Sequence, residues 1–168
     1  MMALPRPNAL SWLGLSAVLI GLDQWSKHWA LSNLVYQQPV PVIDGWAWWT
    51  LVYNYGAAFS LLADAGGWQR WFFTGLAVVI SVALVFWLAR TPRGDWRTAL
   101  PFALVIAGAV GNLVDRLRFG YVVDFIDVLY WPGRHWPAFN IADSCIVVGA
   151  ILLVLFSFKA PAAAGNAG

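Results

Sequence analysis

The feature that most constrains this chain is its distribution of long apolar runs. A helix needs roughly 20 mostly apolar residues to cross a bilayer, and four segments reach or approach that length. The first, about Leu10–Trp29, is apolar as far as Leu22 and then carries the polar run "DQWSK". The second, about Trp71–Ala89, is uninterrupted. The third, about Ala99–Leu113, is shorter and holds Gly108 and Gly111, where a neighbouring helix can approach closely. The fourth, about Ile141–Phe158, is apolar except at its start, where Asp143 follows Asn140. The first segment has Arg6 ahead of an apolar run, as a signal peptide does, but no small-residue cleavage site follows, so it is expected to be a retained helix. The tail "APAAAGNAG", about residues 160–168, is expected to be disordered.

Composition narrows the class. The 168 residues are 61% hydrophobic and 11% charged, against about 25% charged in a soluble domain, which points to a single polytopic membrane domain spanning residues 1–168. Net charge is +2 with no basic run that could follow a phosphate backbone, which excludes a nucleic-acid binder. Cys145 is the single cysteine, so no intrachain disulfide can form, and no Cys/His spacing suits zinc. His28 and His135 lie far apart and belong to no metal motif. No cofactor is expected. Twelve tryptophans suit a chain with much membrane–water interface.

Four spans place both termini and the short loop "ARTPRGDWRT" on one side. The long connections, about Ala30–Arg70 and Asp115–Asn140, fall on the other. Basic residues divide evenly. Arg6, Arg90, Arg93, Arg97 and Lys159 lie on the termini side, and Lys27, Arg70, Arg116, Arg118 and Arg134 opposite. The crowding of three arginines in the short loop favours that side as cytoplasmic. All eight acids are aspartates, and only Asp95 lies on the termini side. Basic residues set orientation, so this acidic skew has another cause: a solvated loop, or a site. Within the first long connection, "GWAWWTLVYNYG" alternates aromatic and branched residues with period two, which predicts strands in a small sheet resting on the membrane surface.

Five short motifs carry the polar residues. In "GNLVDR", Asn112 lies three residues from Asp115 and four from Arg116, so a helix places them on one face; a polar helix end with Asp115 paired to a base is the plainer reading. In "YVVDFIDV", Asp124 and Asp127 share a face if helical and oppose each other if extended. In "FNIADSC", Asn140 suits a helix N-cap with Asp143 in the first turn, where the dipole favours an acid. In "DQWSK", Asp23 and Lys27 are spaced for an ion pair, although Asp23 sits awkwardly deep in a span and could bond polar backbone in the long loop or stabilise the floor of a site. In "NYGAAFS", Asn54 reads as a turn residue whose amide could also hold a substrate backbone. Cys145 lacks an evident base and reads as packing, and His135, near Trp131 and Trp136, reads as interfacial. Two of these carboxyls in one low-dielectric site could not both ionise easily. They would share a proton and could serve as base and acid towards a water and a scissile carbonyl.

Taken together and in order, "DQWSK", "NYGAAFS", "GNLVDR", "VVDFIDV" and "FNIADSCI" resemble the bacterial lipoprotein signal peptidase family, also called signal peptidase II, over nearly the whole chain from Asp23 to the end of the fourth span. The resemblance implies an all-α polytopic membrane fold: four transmembrane helices with a small extracytoplasmic β-cradle and a short amphipathic helix. It implies that Asp124 and Asp143 form a catalytic aspartate dyad. Asn54, Asn112, Asp115, Arg116 and Asn140 match positions that line or brace the site, and Asp23 a supporting position. The implied partner is a prolipoprotein signal peptide whose lipobox cysteine carries diacylglycerol, cut just before that cysteine in the presence of membrane lipid. The implied location is the bacterial inner membrane, with cytoplasmic termini, a dyad near the outer leaflet and a monomeric enzyme.

Two rival classes remain distinguishable. A proton-coupled transporter also uses intramembrane acids, but no repeated halves or broken-helix pair occur, and only Asp23 lies well inside a span. A non-catalytic assembly protein would use its aspartates only for ion pairs and would tolerate Asp→Glu at Asp124 and Asp143.

Overall fold

The computed structural model describes residues 7–56 and 67–158. The expected disordered tail, and most of "NYGAAFS" after Gly56, lie outside the described residues. A short 3-10 helix, Ala9–Trp12, leads into α1, Leu13–Asn33. Strands β1, Val40–Ile43, and β2, Ala47–Asn54, follow. Then come α2, Trp68–Arg90, α3, Trp96–Arg118, strands β3, Val122–Trp131, and β4, Arg134–His135, and finally α4, Ile141–Ser157.

The helices extend past the apolar runs. α1 continues through "DQWSK" to Asn33, and α3 runs on through Asn112, Asp115 and Arg116 to Arg118. A count of apolar residues stops at the first polar side chain. The helix does not, because these side chains find partners inside the protein. Among the described residues two helices, α2 and α3, are long and apolar enough by themselves to cross a membrane. α4 is apolar but 17 residues long, and α1 bears Asp23 and Lys27 in its second half. A short amphipathic helix is absent from the long connections among the described residues.

α3 is the central helix and packs against α1, α2 and α4. Its approach to α4 is set by small residues. A Cβ built on Gly108 would overlap the Ala142 carbonyl oxygen, and one on Gly149 of α4 would lie 2.7 Å from Val105 Cγ2. On the α1 side, the Ser16 hydroxyl donates to the Ala103 carbonyl at 2.8 Å. At the other end of the bundle, Asp95 caps α3 by accepting from the Thr98 amide, and Ala9, Leu84, Leu88 and Ala99 pack beneath the α2–α3 loop.

The strands form one antiparallel sheet in the order β1-β2-β3-β4. Trp48 pairs with Asp127, Val52 with Asp124 and Asn54 with Val122, with a register irregularity between Trp49 and Val52. The sheet docks on the end of α1 through Ala30, Leu51, Val123 and Phe125. There Trp29 meets Trp49 and Phe125 edge-on, with centroids 5.8 and 6.5 Å away. This docking holds the start of β3, and with it Asp124, over the polar ends of α1 and α3.

Candidate active site

The site forms where β3 passes the N-terminus of α4. Asn140 is the N-cap of α4: its Oδ1 accepts from the Asp143 amide at 2.8 Å, and Asp143 Oδ2 accepts from the Asn140 amide at 3.2 Å, a reciprocal capping box. The same Asn140 donates from Nδ2 to Asp124 Oδ1 at 2.7 Å. One asparagine therefore ties together the two aspartates, one from a strand and one from a helix. Asp124 Oδ2 accepts from Asn54 Nδ2 of β2 at 3.0 Å, and Asp143 Oδ1 from Asn112 Nδ2 of α3 at 2.7 Å. Each carboxyl oxygen of the pair thus has its own donor.

Burial and the nearby Asp143 charge push the Asp124 carboxyl up to about 7, against the downward pull of the amides of Asn54 and Asn140. Asp124 is 1% exposed, so loss of hydration is the larger cause.

Beneath the pair lies a buried ionic network. The Lys27 ammonium contacts Asp23 Oδ2, Asp115 Oδ2 and Asn112 Oδ1, each at 2.9 Å. All three ammonium hydrogens are therefore used. Asp23 Oδ1 accepts from the Ala142 amide at 2.9 Å, beside Asp143, and Asp115 Oδ2 accepts from the Val123 amide at 3.0 Å, beside Asp124. The two supporting carboxylates each hold the backbone next to one member of the pair. Gln24 Nε2 bridges Asp23, Asp115 and the Gly111 carbonyl. Arg116 lies at the edge, with Nη2 3.4 Å from the Gly56 carbonyl and its guanidinium 5.2 Å from the Phe73 ring centre.

All eight residues singled out in the sequence meet here: Asp23, Asn54, Asn112, Asp115, Arg116, Asp124, Asn140 and Asp143. Asp23 and Lys27 form the ion pair their spacing suggests, but Lys27 also pairs with Asp115 and holds Asn112. Asp23 bonds the backbone of α4, not that of a long loop. Asn54 is the turn residue its place suggests, its Oδ1 accepting from the Gly56 amide at 3.1 Å, while its amide donates to Asp124. Gln24 escaped notice, although its three-residue spacing from Lys27 puts both on one face of α1. Asp127 is excluded: three residues from Asp124 on a strand, it points away and pairs with His135. Cys145 is buried in α4, and His28 is exposed on α1.

A largely apolar cavity of about 480 Å³ reaches Asp143 of the pair, with Asp124 buried behind its lining. Asn54 and Asp143 supply its polar corner, Trp136 to Phe139 one wall, and Ile146, Val147 and Val148 of α4 the other.

The family model described as "Signal peptidase (SPase) II" matches residues 15–159. The chain belongs to the signal peptidase II family. Lipoprotein signal peptidase of Xanthomonas campestris pv. campestris (strain 8004) is 65% identical over 153 residues, 90% of each chain. That of Xylella fastidiosa (strain 9a5c) is 57% identical over 158 residues, covering 92% of this chain and 93% of its own. A solved bacterial membrane enzyme, 30% identical, superposes with a TM-score of 0.78 over 89% of this chain and 88% of its own. A second, 29% identical, gives 0.74 over 89% and 93%. Membership of this family makes the protein a membrane peptidase, and its cavity becomes the candidate substrate site.

Proposed function

We propose that this protein removes signal peptides from prolipoproteins by aspartic chemistry, with Asp124 and Asp143 as the catalytic pair. The observation that carries the reading is the convergence of these two carboxyls, joined through Asn140 and held by the amides of Asn54 and Asn112, beside an apolar cavity that Asp143 lines. Near neutral pH the pair holds one proton. One carboxylate accepts a proton from a water as its oxygen attacks the scissile carbonyl, while the protonated partner hydrogen-bonds the developing oxyanion. Collapse of the tetrahedral intermediate breaks the C–N bond, and a carboxyl proton passes to the leaving nitrogen. The asparagines cannot titrate, so they hold the geometry without competing for the proton. Asn54, Asn112 and Asn140 are positioned to do this, Asp23 and Asp115 fix the backbone beside the pair, and Arg116 braces the edge of the site through the Asn112 and Gly56 carbonyls.

The substrate is a signal peptide whose lipobox cysteine bears diacylglycerol, cut immediately before that cysteine. An apolar cavity at a helix mouth suits a bond that must stay near the bilayer because its flanking helix and acyl chains cannot leave it. In this reading all four helices cross the inner membrane as one domain, the termini and the arginine-rich α2–α3 loop are cytoplasmic, and a monomer works with its pair near the outer leaflet.

The test is cleavage of a diacylglyceryl-modified lipobox precursor in mixed micelles by wild type, Asp124→Asn and Asp143→Asn. Losing the acid–base group should lower kcat by about 10²–10⁴-fold or more with the melting curve retained. A folded variant of either with near-normal activity removes the pair from the mechanism. A wild type that cuts nothing but moves protons or solutes in vesicles turns the reading to transport.

A further inference from the structure

The Asp127–His135 pair on the far side of β3 takes no part in the chemistry proposed above. Asp127 Oδ1 lies 2.6 Å from His135 Nδ1, and its Oδ2 accepts from the Thr50 hydroxyl at 2.9 Å. The three side chains form a rung across β2, β3 and β4, with the Trp48 ring 4.9 Å from the imidazole. A carboxylate offers only acceptors, so Nδ1 carries the hydrogen. This three-strand rung lies outside the polar cluster around Asp124, and its place in the chain suggests its purpose.

His135 is the last residue of β4, and the next four residues, Trp136 to Phe139, are the cavity wall. That wall runs back along β3 and is attached near its ends. The Trp136 amide donates to the Val128 carbonyl at 2.8 Å, and the Phe139 amide to the Ile126 carbonyl at 3.0 Å. Between them, Pro137 has no amide hydrogen to give. At the Phe139 end the wall runs directly into Asn140, the α4 cap, and is doubly secured. At the Trp136 end it has the Val128 bond, an edge contact of the Trp136 ring with Tyr130, and β4, which is two residues long and follows a turn at Gly133 with φ +74°. So short a strand holds its register weakly from backbone bonds alone.

We propose that Thr50, Asp127 and His135 act as a latch that positions the Trp136–Phe139 wall and so sets how well the cavity grips the apolar part of the substrate next to the scissile bond. The substrate in this statement rests on the peptidase reading; the latch itself does not. Asp124 lies on the other face of β3 with its own bonds to Asn54 and Asn140, so the latch acts on binding and leaves the reacting pair in place. These are positioning residues.

Two measurements test the latch. The first needs no substrate: hydrogen exchange, followed by mass spectrometry, in detergent-solubilised wild type, His135→Ala and His135→Asn. Asparagine places an N–H close to where the imidazole has Nδ1. His135→Ala should speed exchange in the 134–139 segment and leave the start of α4 unchanged, and His135→Asn should restore protection. The second is steady-state cleavage of the lipidated precursor. His135→Ala should raise KM about five-fold with kcat within two-fold, the signature of lost binding common to ground and transition states, and His135→Asn should return KM towards wild type. Unchanged exchange and KM in His135→Ala overturn the proposal. So does an equal fall in kcat and kcat/KM, which would place the effect at the dyad, and so does failure of asparagine to restore KM. Should His135→Ala fail to fold, Thr50→Val, which keeps the shape and removes one rung, carries the same test with a smaller rise in KM expected. A wild type that does not cleave the precursor refutes the peptidase reading, while the exchange result still decides the latch.

Discussion

Helices α2 and α3 are each 23 residues long and are adjacent in chain and in space, yet they do opposite things. In the most apolar stretch of α2 17% of the residues are buried within the protein, and in that of α3 56%. α2 presents Val79, Val82, Phe86 and Trp87 outward, as a lipid-facing helix does. α3 instead buries alanines, glycines, Asn112 and Asp115. The apolar helix is peripheral and the less apolar one central. In a bilayer the solvent is itself hydrocarbon, so apolar side chains have no reason to turn inward. Polar groups do, because only the protein interior offers them partners. α3 is central because it carries groups that must be satisfied.

The largest expected effect falls on those groups. Lys27→Met would leave Asp23 and Asp115 buried without their shared cation, and breaking a buried ionic cluster from one side costs about 3–5 kcal/mol. A large drop in thermal-unfolding midpoint, with cleavage lost in parallel, is expected. A midpoint within a degree or two of wild type would mean that the interior of α3 is wetter than its burial indicates.

A glycine pair separates the two helices next. Gly108→Ala on α3 would drive a methyl into the Ala142 carbonyl and to 2.6 Å from Ile146 Cγ1. Overpacking of this kind costs about 1–3 kcal/mol. Gly75→Ala on α2 meets nothing within 4 Å and should stabilise by up to about 1 kcal/mol through helix propensity. Melting both variants in one detergent checks the contrast, and equal shifts would dissolve it.

The smallest effect concerns pH. With its carboxyl pushed from the ordinary carboxylate range up to about 7, Asp124 binds its proton more tightly in the folded state than in the unfolded chain. Its contribution therefore lowers stability as pH rises from about 4 through 7, and levels off above that. In the proposed mechanism cleavage needs one shared proton, so it should fall along the alkaline limb. The Asn54 amide holds the Asp124 value down, so Asn54→Ala should move that limb to higher pH by a fraction of a unit. A kcat–pH profile of the two proteins checks it, and a shift to lower pH would reverse the assigned role of Asn54.

Much of the molecule was readable before any coordinates. Apolar runs located the four helices, with ends misplaced where "DQWSK" and "GNLVDR" continue a helix whose polar side chains are satisfied elsewhere in the fold. Period-two alternation located β2. The Asn140–Asp143 spacing announced the N-cap, because that bond is local, while the reciprocal bond from the Asn140 amide to the Asp143 carboxyl appeared only in the structure. Gln24 and the Lys27–Asn112 bond went unread because they join residues 85 or more positions apart. The Thr50–Asp127–His135 rung was equally hidden, being a product of strand register across three separate segments.

The sequence alone determined a membrane chain, its helical segments, its family and the inventory of polar residues available to a site. These follow from composition, local periodicity and motif order, each a short-range property of the chain. Only the tertiary structure decided which polar groups meet. Whether Asp124 faces Asp143 or turns away with Asp127 depends on β3 being extended and on its register against β2. Whether Lys27 serves one carboxylate or two depends on how closely the glycines of α3 let the helices approach. Those outcomes are set by packing between distant segments, where a shift of one residue or a single methyl group reverses the answer.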